Sequence, residues 1–131
     1  MIDDVLYSYD GKVLLRCPPQ KTGALTLPNG VEIIGENAFD GCYLTSVQLN
    51  DGVKEIHDNA FSCSFDLEDL LIPDSVETIG VDAFSCCDNL TVHAVKGSFA
   101  AGYCGKNGIN HSFVYSVDDF FGIMNELGII K

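Results

Sequence analysis

The stretch "VEIIGENAF", residues 31–39, returns as "VKEIHDNAF" at residues 53–61 and as "VETIGVDAF" at residues 76–84. The closing phenylalanines Phe39, Phe61 and Phe84 recur at an almost constant interval, which defines one repeat length. A period in the twenties with constant apolar positions is typical of a solenoid, in which each repeat forms one coil of a stack. The phrase is therefore predicted to be a structural unit rather than a site used three times.

The repeat extends in front of the quoted phrase, and one unit reads L-x-x-[VL]-x-[LI]-[PN]-[ND]-[GS]-V-x-x-I-x-x-x-A-F-x-x-C. Alternating stretches such as "SVQL", residues 46–49, suit short strands. Turn residues follow each strand, at residues 28–30, 50–52 and 73–75. The Val-x-x-Ile segments predict a second short extended stretch, and the "NAF" and "DAF" ends predict a single helical or 3₁₀ turn.

A single unit cannot bury its own apolar face, whereas stacked units can. Phe39, Phe61 and Phe84 would then form a column along a shared core. Removing one fully buried phenylalanine costs about 3–5 kcal/mol. A domain of this size has a total stability of about 5–15 kcal/mol, so the loss of one ring should nearly unfold the stack.

This pattern resembles the BspA-type leucine-rich repeats, a bacterial surface-antigen class. The flanks are similar as well: residues 5–23 look like the segment that commonly precedes these repeats, and residues 90–113 like their usual closing unit. The resemblance covers residues 5–113. It departs from the family pattern at Asn50 in place of Pro, His57 in place of Gly and Ser64 in place of Cys.

The expected fold is of the α/β class: a right-handed leucine-rich-repeat solenoid with short strands and single helical turns, an N-terminal hairpin cap and a C-terminal helical cap. Residues 1–23 are predicted to form the β-hairpin cap around the Asp10-Gly11 turn. Residues 24–115 would form the solenoid, with units that start near residues 24, 46, 69 and 91. Residues 116–131 would form a C-terminal helix.

Two helices are predicted behind the repeats. Residues 98–107 suit a short helix that ends at Gly108. In residues 116–131 the apolar side chains recur at helical spacing, namely Val117, Phe120, Phe121, Met124 and Leu127. This second helix is interpreted either as a lid over the final repeat or as a docking helix, through which the chain would form a homo-oligomer or bind another protein.

Charge excludes several classes of partner. The chain carries 19 acidic against 7 basic residues, a net charge of −12, and the basic residues do not cluster. A surface that follows a phosphate backbone is therefore absent, so nucleic acid is not an expected partner. An anionic membrane surface would repel the chain for the same reason.

The six cysteines follow the repeat instead of a ligand pattern. Cys42 and Cys87 lie three residues after the repeated Phe, Cys63 and Cys86 lie two residues after it, and no C-x-x-C occurs. They are interpreted as free thiols that act as small apolar fillers, with a disulfide or a metal site as the less favoured alternatives.

No catalytic, cofactor-binding or metal-binding residue is expected. His57 occupies a turn position that Gly35 and Gly80 fill in the sister units, so it should face solvent. Cys104 and His111 could imitate a nucleophile–base pair, but no third partner or oxyanion loop accompanies them. Phosphate-binding, hydrolase and zinc-protease motifs are all absent from the sequence. We therefore expect no enzyme and no cofactor.

The remaining candidate is a surface. If Val47 and Leu49 point into the core, the alternate side chains point outward along the strand-bearing face. The predicted partner-binding row is Thr26, Ser46, Gln48, Asp69, Leu71, Thr91 and His93. Leu71 stands out as an apolar residue among polar ones, either a single exposed leucine or the centre of a contact.

The resemblance implies a non-catalytic module for protein–protein recognition or adhesion, with an unidentified protein as its partner. The alternative is a purely structural spacer or folding module of a larger bacterial surface protein. Residues 1–11 lack the basic start and apolar core of a signal peptide, and no stretch of the sequence reaches the length of a membrane span. We therefore expect no membrane insertion. Localisation would be cytoplasmic for a complete chain, and at the cell surface or secreted for a fragment of a family-typical protein.

Overall fold

The computed structural model describes residues 5–114 of the chain. Its ten strands are β1 (Leu6–Tyr7), β2 (Val13–Arg16), β3 (Thr22–Thr26), β4 (Ile33–Ile34), β5 (Tyr43–Gln48), β6 (Glu55–Ile56), β7 (Asp69–Ile72), β8 (Thr78–Ile79), β9 (Thr91–Val95) and β10 (His111–Val114). One helix, α1 (Phe99–Asn107), lies between β9 and β10. The strands build a β-solenoid, which confirms the predicted fold class.

Two five-stranded sheets form the walls of the stack. Sheet A has the order β1-β2-β4-β6-β8, and sheet B has the order β10-β9-β7-β5-β3. Neighbouring strands are parallel except for β1 and β2, which form an antiparallel hairpin. Each repeat up to the one that contains Phe84 contributes one strand to each sheet, so a repeat cannot complete its backbone hydrogen bonds without its neighbours.

The core is a continuous column between the two sheets. The rings of Phe39 and Phe61 are stacked with centroids 4.6 Å apart, and those of Phe61 and Phe84 follow at 5.7 Å. Cys17 is buried one repeat length before Phe39, in the corresponding place of the first coil. Tyr103 from α1 packs edge-on against Phe84 at 6.2 Å. The predicted phenylalanine column is confirmed.

The ends of the repeated phrases form chains of tight turns. The Ala38 N–H donates to Gly35 O at 3.1 Å and the Asp40 N–H to Asn37 O at 3.1 Å, which are the bonds of successive β-turns. Between the turns, Asn37, Asn59 and Asp82 have left-handed backbones with φ of 58°, 57° and 55°. Asn and Asp tolerate this region better than other non-glycine residues. The structure therefore has a run of β-turns that contains left-handed residues, where a single helical or 3₁₀ turn was expected.

A third hydrogen-bonded ladder joins these turns from coil to coil. The Phe39 N–H donates to Ala60 O at 2.6 Å, and the Phe61 N–H donates to Ala83 O at 2.8 Å. The N–H groups two residues before and two residues after each Phe make equivalent bonds to backbone oxygens of the next coil. These donor–acceptor pairs are Asn37 to Asp58, Asn59 to Val81, Gly41 to Ser62 and Cys63 to Ser85. Each coil thus offers three N–H groups to the next coil.

The position three residues after each Phe holds a small side chain, buried or half-buried, that donates a hydrogen bond to a backbone oxygen. Cys42 Sγ donates to Cys17 O at 3.1 Å, and Ser64 Oγ donates to Phe39 O at 2.8 Å. Cys87 Sγ donates to Phe61 O at 2.8 Å. A hydroxyl therefore replaces a thiol without loss of the bond, which explains the departure from the family pattern at Ser64.

Helix α1 closes the repeats as the sequence predicts. Its N-cap is Ser98, whose Oγ accepts from the Ala101 N–H at 3.2 Å. It ends at Gly108, which has a left-handed φ of 66° and donates its N–H to Cys104 O. The predicted C-terminal helix, residues 116–131, lies outside the described residues. Within residues 5–114 no helix has the length and apolar character to cross a membrane.

Candidate partner-binding surface

The structure brings the predicted partner-binding row together on the outer side of sheet B. Two lines of residues cross the strands in register. Ser46, Asp69 and Thr91 form one line, and Gln48, Leu71 and His93 form the other. The first line begins at Ala24 and the second at Thr26, both on β3. Val47, Leu70 and Val92 belong to the core cluster and Leu71 does not, so strand alternation places the row on the opposite face of the sheet.

Their exposure differs from the expectation. Leu71 is 0% exposed and Gln48 8%, and Ser46 and His93 are buried as well. The interpretation of Leu71 as a single exposed leucine is therefore wrong, whereas its role as a contact centre stays a prediction. Gln48 and His93 flank Leu71 on the two neighbouring strands, and all three side chains are buried. Alternation assigns a side chain to a face, but exposure depends on what packs around it there.

A hydrogen-bonded network accompanies this burial. His93 Nε2 lies 2.7 Å from Asp69 Oδ1, and His93 Nδ1 lies 3.3 Å from Ser112 Oγ. Both side chains of the His93–Asp69 pair are largely buried. At the same edge Thr91 Oγ1 accepts from Asn110 Nδ2 at 3.0 Å. His93 and Asp69 thus join β9 to β7 instead of presenting free polar groups to a partner.

Three residues of the predicted row remain accessible: Thr26 is exposed, and Asp69 and Thr91 are half-buried. The sequence interpretation missed two larger exposed groups at the start of the same sheet. Tyr43, the first residue of β5, is 56% exposed, and Phe65 is 52% exposed. The interval between them equals that from Phe39 to Phe61, so they hold the same place in consecutive coils. That spacing was the signal in the sequence that could have identified them.

We call the exposed group Thr22, Tyr43, Thr45 and Phe65 the aromatic margin of sheet B. Thr22 is paired in register with Tyr43, and Thr45 Oγ1 donates to Gly23 O at 3.2 Å. In the next coil, one repeat length later, the position of Phe65 is taken by Asp88, which is also exposed. Tyr43 and Phe65 thus present exposed aromatic side chains at equivalent positions of neighbouring coils, and aromatic side chains bury a large apolar area when they are covered.

The histidines considered for catalysis lie in unsuitable surroundings. His57 Nε2 is 2.9 Å from Glu55 Oε1, but the two side chains are 43% and 47% exposed, so no water-excluded site surrounds them. His111 Nδ1 is 2.8 Å from the backbone oxygen of Ile109, and its ring packs edge-on against Phe113. Cys104 is buried on α1, and this burial raises its pKa to about 11. A thiol that keeps its proton at neutral pH is a poor nucleophile.

The other cysteines are free thiols in contrasting environments. Cys17, Cys42 and Cys104 are buried, Cys63 and Cys87 are half-buried, and Cys86 is exposed. The hydrogen bond between Cys42 and Cys17, together with burial, raises the pKa of Cys42. Burial raises the pKa of Cys87 to about 11. Among residues 5–114 no three His, Cys, Asp or Glu side chains form a group that could hold a metal ion.

A family model described as "BspA type Leucine rich repeat region (6 copies)" matches residues 19–101. The chain belongs to the BspA-type leucine-rich repeat family. This match confirms the resemblance that the repeated phrase carries. The repeats of the family are typically modules for protein interaction or structural support, and typically non-catalytic.

Two solved structures are similar to this chain. A leucine-rich repeat protein from Eubacterium ventriosum is 28% identical, with a TM-score of 0.66, over 71% of this chain and 26% of that one. A leucine rich cell surface protein from Faecalibacterium prausnitzii is 26% identical over 81% of this chain and 40% of that one, with a TM-score of 0.36. The BspA-type chain described here thus spans about a quarter to two fifths of these proteins. No curated protein matches it.

Proposed function

We propose that this BspA-type chain is a non-catalytic protein-interaction module, and that it binds its partner through the outer side of sheet B at the aromatic margin. The observation that carries the proposal is the repeated exposure of Tyr43 and Phe65 in consecutive coils. Thr26, Asp69 and Thr91 extend the same surface along the strands. Adhesion is the form of this function in which the partner lies on another cell or on its matrix.

The energetics of protein interfaces favour this margin over the row first expected. A few residues carry most of the binding free energy, and aromatic residues are enriched among them. Tyr43 and Phe65 can each lose exposed apolar area on binding, whereas Leu71 has none left to lose. The surrounding threonines can supply the polar rim that interfaces commonly have.

The partner should be a protein with an apolar pocket or groove and a neutral or basic rim. A net charge of −12 opposes acidic partners, and Asp88 holds the position of Phe65 in the next coil. Electrostatic complementarity of this kind affects mainly the rate of association and the choice of partner. Association is therefore expected to weaken as the salt concentration rises.

The test compares two variants of the full chain. Tyr43→Asp combined with Phe65→Asp removes the aromatic margin, and Tyr9→Asp changes a fully exposed tyrosine elsewhere. Each protein, carrying a photo-crosslinker, is exposed to a cell-envelope extract, and the crosslinked proteins are identified by mass spectrometry. Recovery of a saturable partner should fall at least about thirtyfold for the double variant, the equivalent of about 2 kcal/mol, and stay unchanged for Tyr9→Asp.

The competing function is that of a spacer or folding module within a longer array. It is favoured by the fact that the chain spans 26% of the Eubacterium ventriosum protein. A spacer predicts the same set of crosslinked proteins for all three chains. Homo-oligomer formation through residues 116–131 remains a separate proposal, and sedimentation of the chain with Phe120 and Phe121 changed to Ser would test it.

A further inference from the structure

The two sheets of the solenoid do not end together. Within residues 5–114, sheet B continues through β9 and β10, whereas sheet A stops at β8. Where a further strand of sheet A would follow β9, the chain forms α1 instead. The last coil that carries all three ladders, built around Phe84, therefore has an open side next to the helix.

This open side presents unused backbone groups. In each preceding coil three N–H groups donate to backbone oxygens of the next coil. They belong to the Phe, to the residue two before it and to the residue two after it. Their counterparts in the last coil are Asp82, Phe84 and Cys86, and within the described part of the chain their N–H groups have no hydrogen-bond acceptor. The carbonyls of Glu77 and Ile79 are the counterparts of Lys54 O and Ile56 O, which accept from the next coil.

A cleft lies over these groups. It has a volume of about 460 Å³, and its walls include Ile79, Phe84, Tyr103 and Ile109. Val81 at its rim is 70% exposed. Helix α1 closes the cleft only in part, through the Phe84–Tyr103 ring contact and a long Tyr103 Oη to Gly80 O hydrogen bond of 3.5 Å. The cleft is large enough for one or two apolar side chains.

We propose that this open end binds an extended peptide segment of another protein, which adds to the solenoid as the missing strand and turn. Main-chain carbonyls of the peptide accept from the N–H groups of Asp82, Phe84 and Cys86. Its own N–H groups donate to the carbonyls of Glu77 and Ile79. Recognition by strand addition gains affinity from such main-chain bonds and selectivity from the side chains between them.

Charge sets the side-chain chemistry of the peptide. Asp82, Asp88 and Glu77 are all exposed around the open end, and no basic residue lines the cleft. The peptide should therefore alternate basic residues, which face the carboxylates, with apolar residues, which enter the cleft. An acidic segment does not fit because the carboxylates would repel it. A proline-rich segment does not fit because proline lacks the N–H groups that the two carbonyls require.

A second copy of the chain does not supply this strand by continuing the stack. At the opposite end one of the corresponding acceptors is already used, since the Cys17 N–H donates to Ala38 O at 2.7 Å. The β1–β2 hairpin also covers that edge of sheet A. Stacking head to tail would first require this cap to open.

The test uses the full chain and the peptide acetyl-KVKVKVK-amide, with a control peptide of the same sequence N-methylated at alternate residues. Amide hydrogen exchange is followed by NMR. In the free protein the amides of Asp82, Phe84 and Cys86 should exchange at least tenfold faster than their counterparts Asn59, Phe61 and Cys63. Saturating peptide should slow the first three about tenfold or more, and the methylated peptide should leave them unchanged.

A matched pair of variants isolates the charge. Asp82→Asn keeps the left-handed turn, because Asn37 and Asn59 fill this place in the sister coils. It should weaken binding of the peptide about two- to fivefold, as expected for one exposed ion pair, and Asp51→Asn should not. Equal protection by both peptides, protection at other amides, or protected Asp82, Phe84 and Cys86 amides in the free protein would each overturn the proposal. None of these results depends on Tyr43 or Phe65, so the proposed function is tested separately.

Discussion

The rings of Phe39 and Phe61 are parallel to within 3°, with their centroids 4.6 Å apart. This spacing is close to the distance between adjacent strands of a sheet, about 4.7–4.9 Å. The rings therefore stack because the hydrogen-bonded ladders on the coil walls place them one strand spacing apart. The continuous core and the backbone ladders have the same repeat distance and stabilise each other.

Phe61 lies in the middle of this column and should be the most sensitive position in it. Phe61→Ala removes ring contacts with both Phe39 and Phe84 and leaves a cavity between them. We expect the free energy of unfolding in urea to fall by about 3–5 kcal/mol. Phe65→Ala, at an exposed position in the same coil, is the matched control and should change it by less than about 0.5 kcal/mol. Similar losses for both variants would contradict the column.

Leu71 should behave as a core residue although it lies on the outer face of sheet B. Because it is fully buried, Leu71→Ala is expected to cost about 2–5 kcal/mol in urea unfolding. Leu15→Ala, at a leucine that is 44% exposed, should cost less. A loss at Leu71 no larger than that at Leu15 would mean that this face is open to solvent, as the sequence first suggested.

Ionisation of the buried thiols should lower the stability of the fold at alkaline pH. The pKa values of Cys87 and Cys104 are raised to about 11 by burial, above the usual thiol value, so the unfolded chain loses these protons first. Stability should be complete below about pH 8.5 and should decline as the pH rises toward 11. The urea midpoint, measured in reductant at pH 7.5 and pH 10.5, should fall.

Cys87→Ser is the control for this pH effect. Ser64 fills the same place in the preceding coil and keeps the equivalent hydrogen bond, so the variant should fold. Its loss of stability between the two pH values should be smaller than that of the unmodified chain, because one titrating thiol is gone. An equal loss would assign the pH dependence to other groups.

Gly80 is required by a close approach between coils. A Cβ atom there would lie 2.5 Å from the Asp58 nitrogen and 2.8 Å from the His57 carbonyl carbon. Since the Gly80 N–H also donates to Ile56 O at 2.8 Å, the backbone cannot move away freely. Gly80→Ala should lower stability by about 1–3 kcal/mol. Gly102→Ala, in α1 with open space around it, should raise stability by about 0.5–1 kcal/mol.

Much of this fold could be predicted from local pattern. The spacing of Phe39, Phe61 and Phe84 predicted the column, and Ser98 and Gly108 predicted both ends of α1. The alternation around Val47 and Leu70 predicted which side chains face the core. These inferences succeed because each rests on the regular geometry of one repeat, which the neighbouring repeats reproduce.

Only part of the candidate site could be predicted from the sequence. The same alternation placed Gln48, Leu71 and His93 on the outer face, yet it could not indicate that they are buried there. Tyr43 and Phe65 share the repeat spacing, but nothing in their residue types shows that they project into solvent. Exposure depends on every element that packs against a residue, and most of those elements are distant in sequence.

By itself, the sequence determined the period, the apolar positions of the repeat and the ends of α1, because apolar spacing and the turn preferences of Gly, Asn and Pro are local properties of the chain. Only the tertiary structure decided which outer residues stay accessible and where the backbone ladders stop. Sheet A ends at β8 while sheet B continues to β10, because α1 replaces one strand. The N–H groups of Asp82, Phe84 and Cys86, which have no acceptor within residues 5–114, result from how whole coils meet, and no single repeat encodes this.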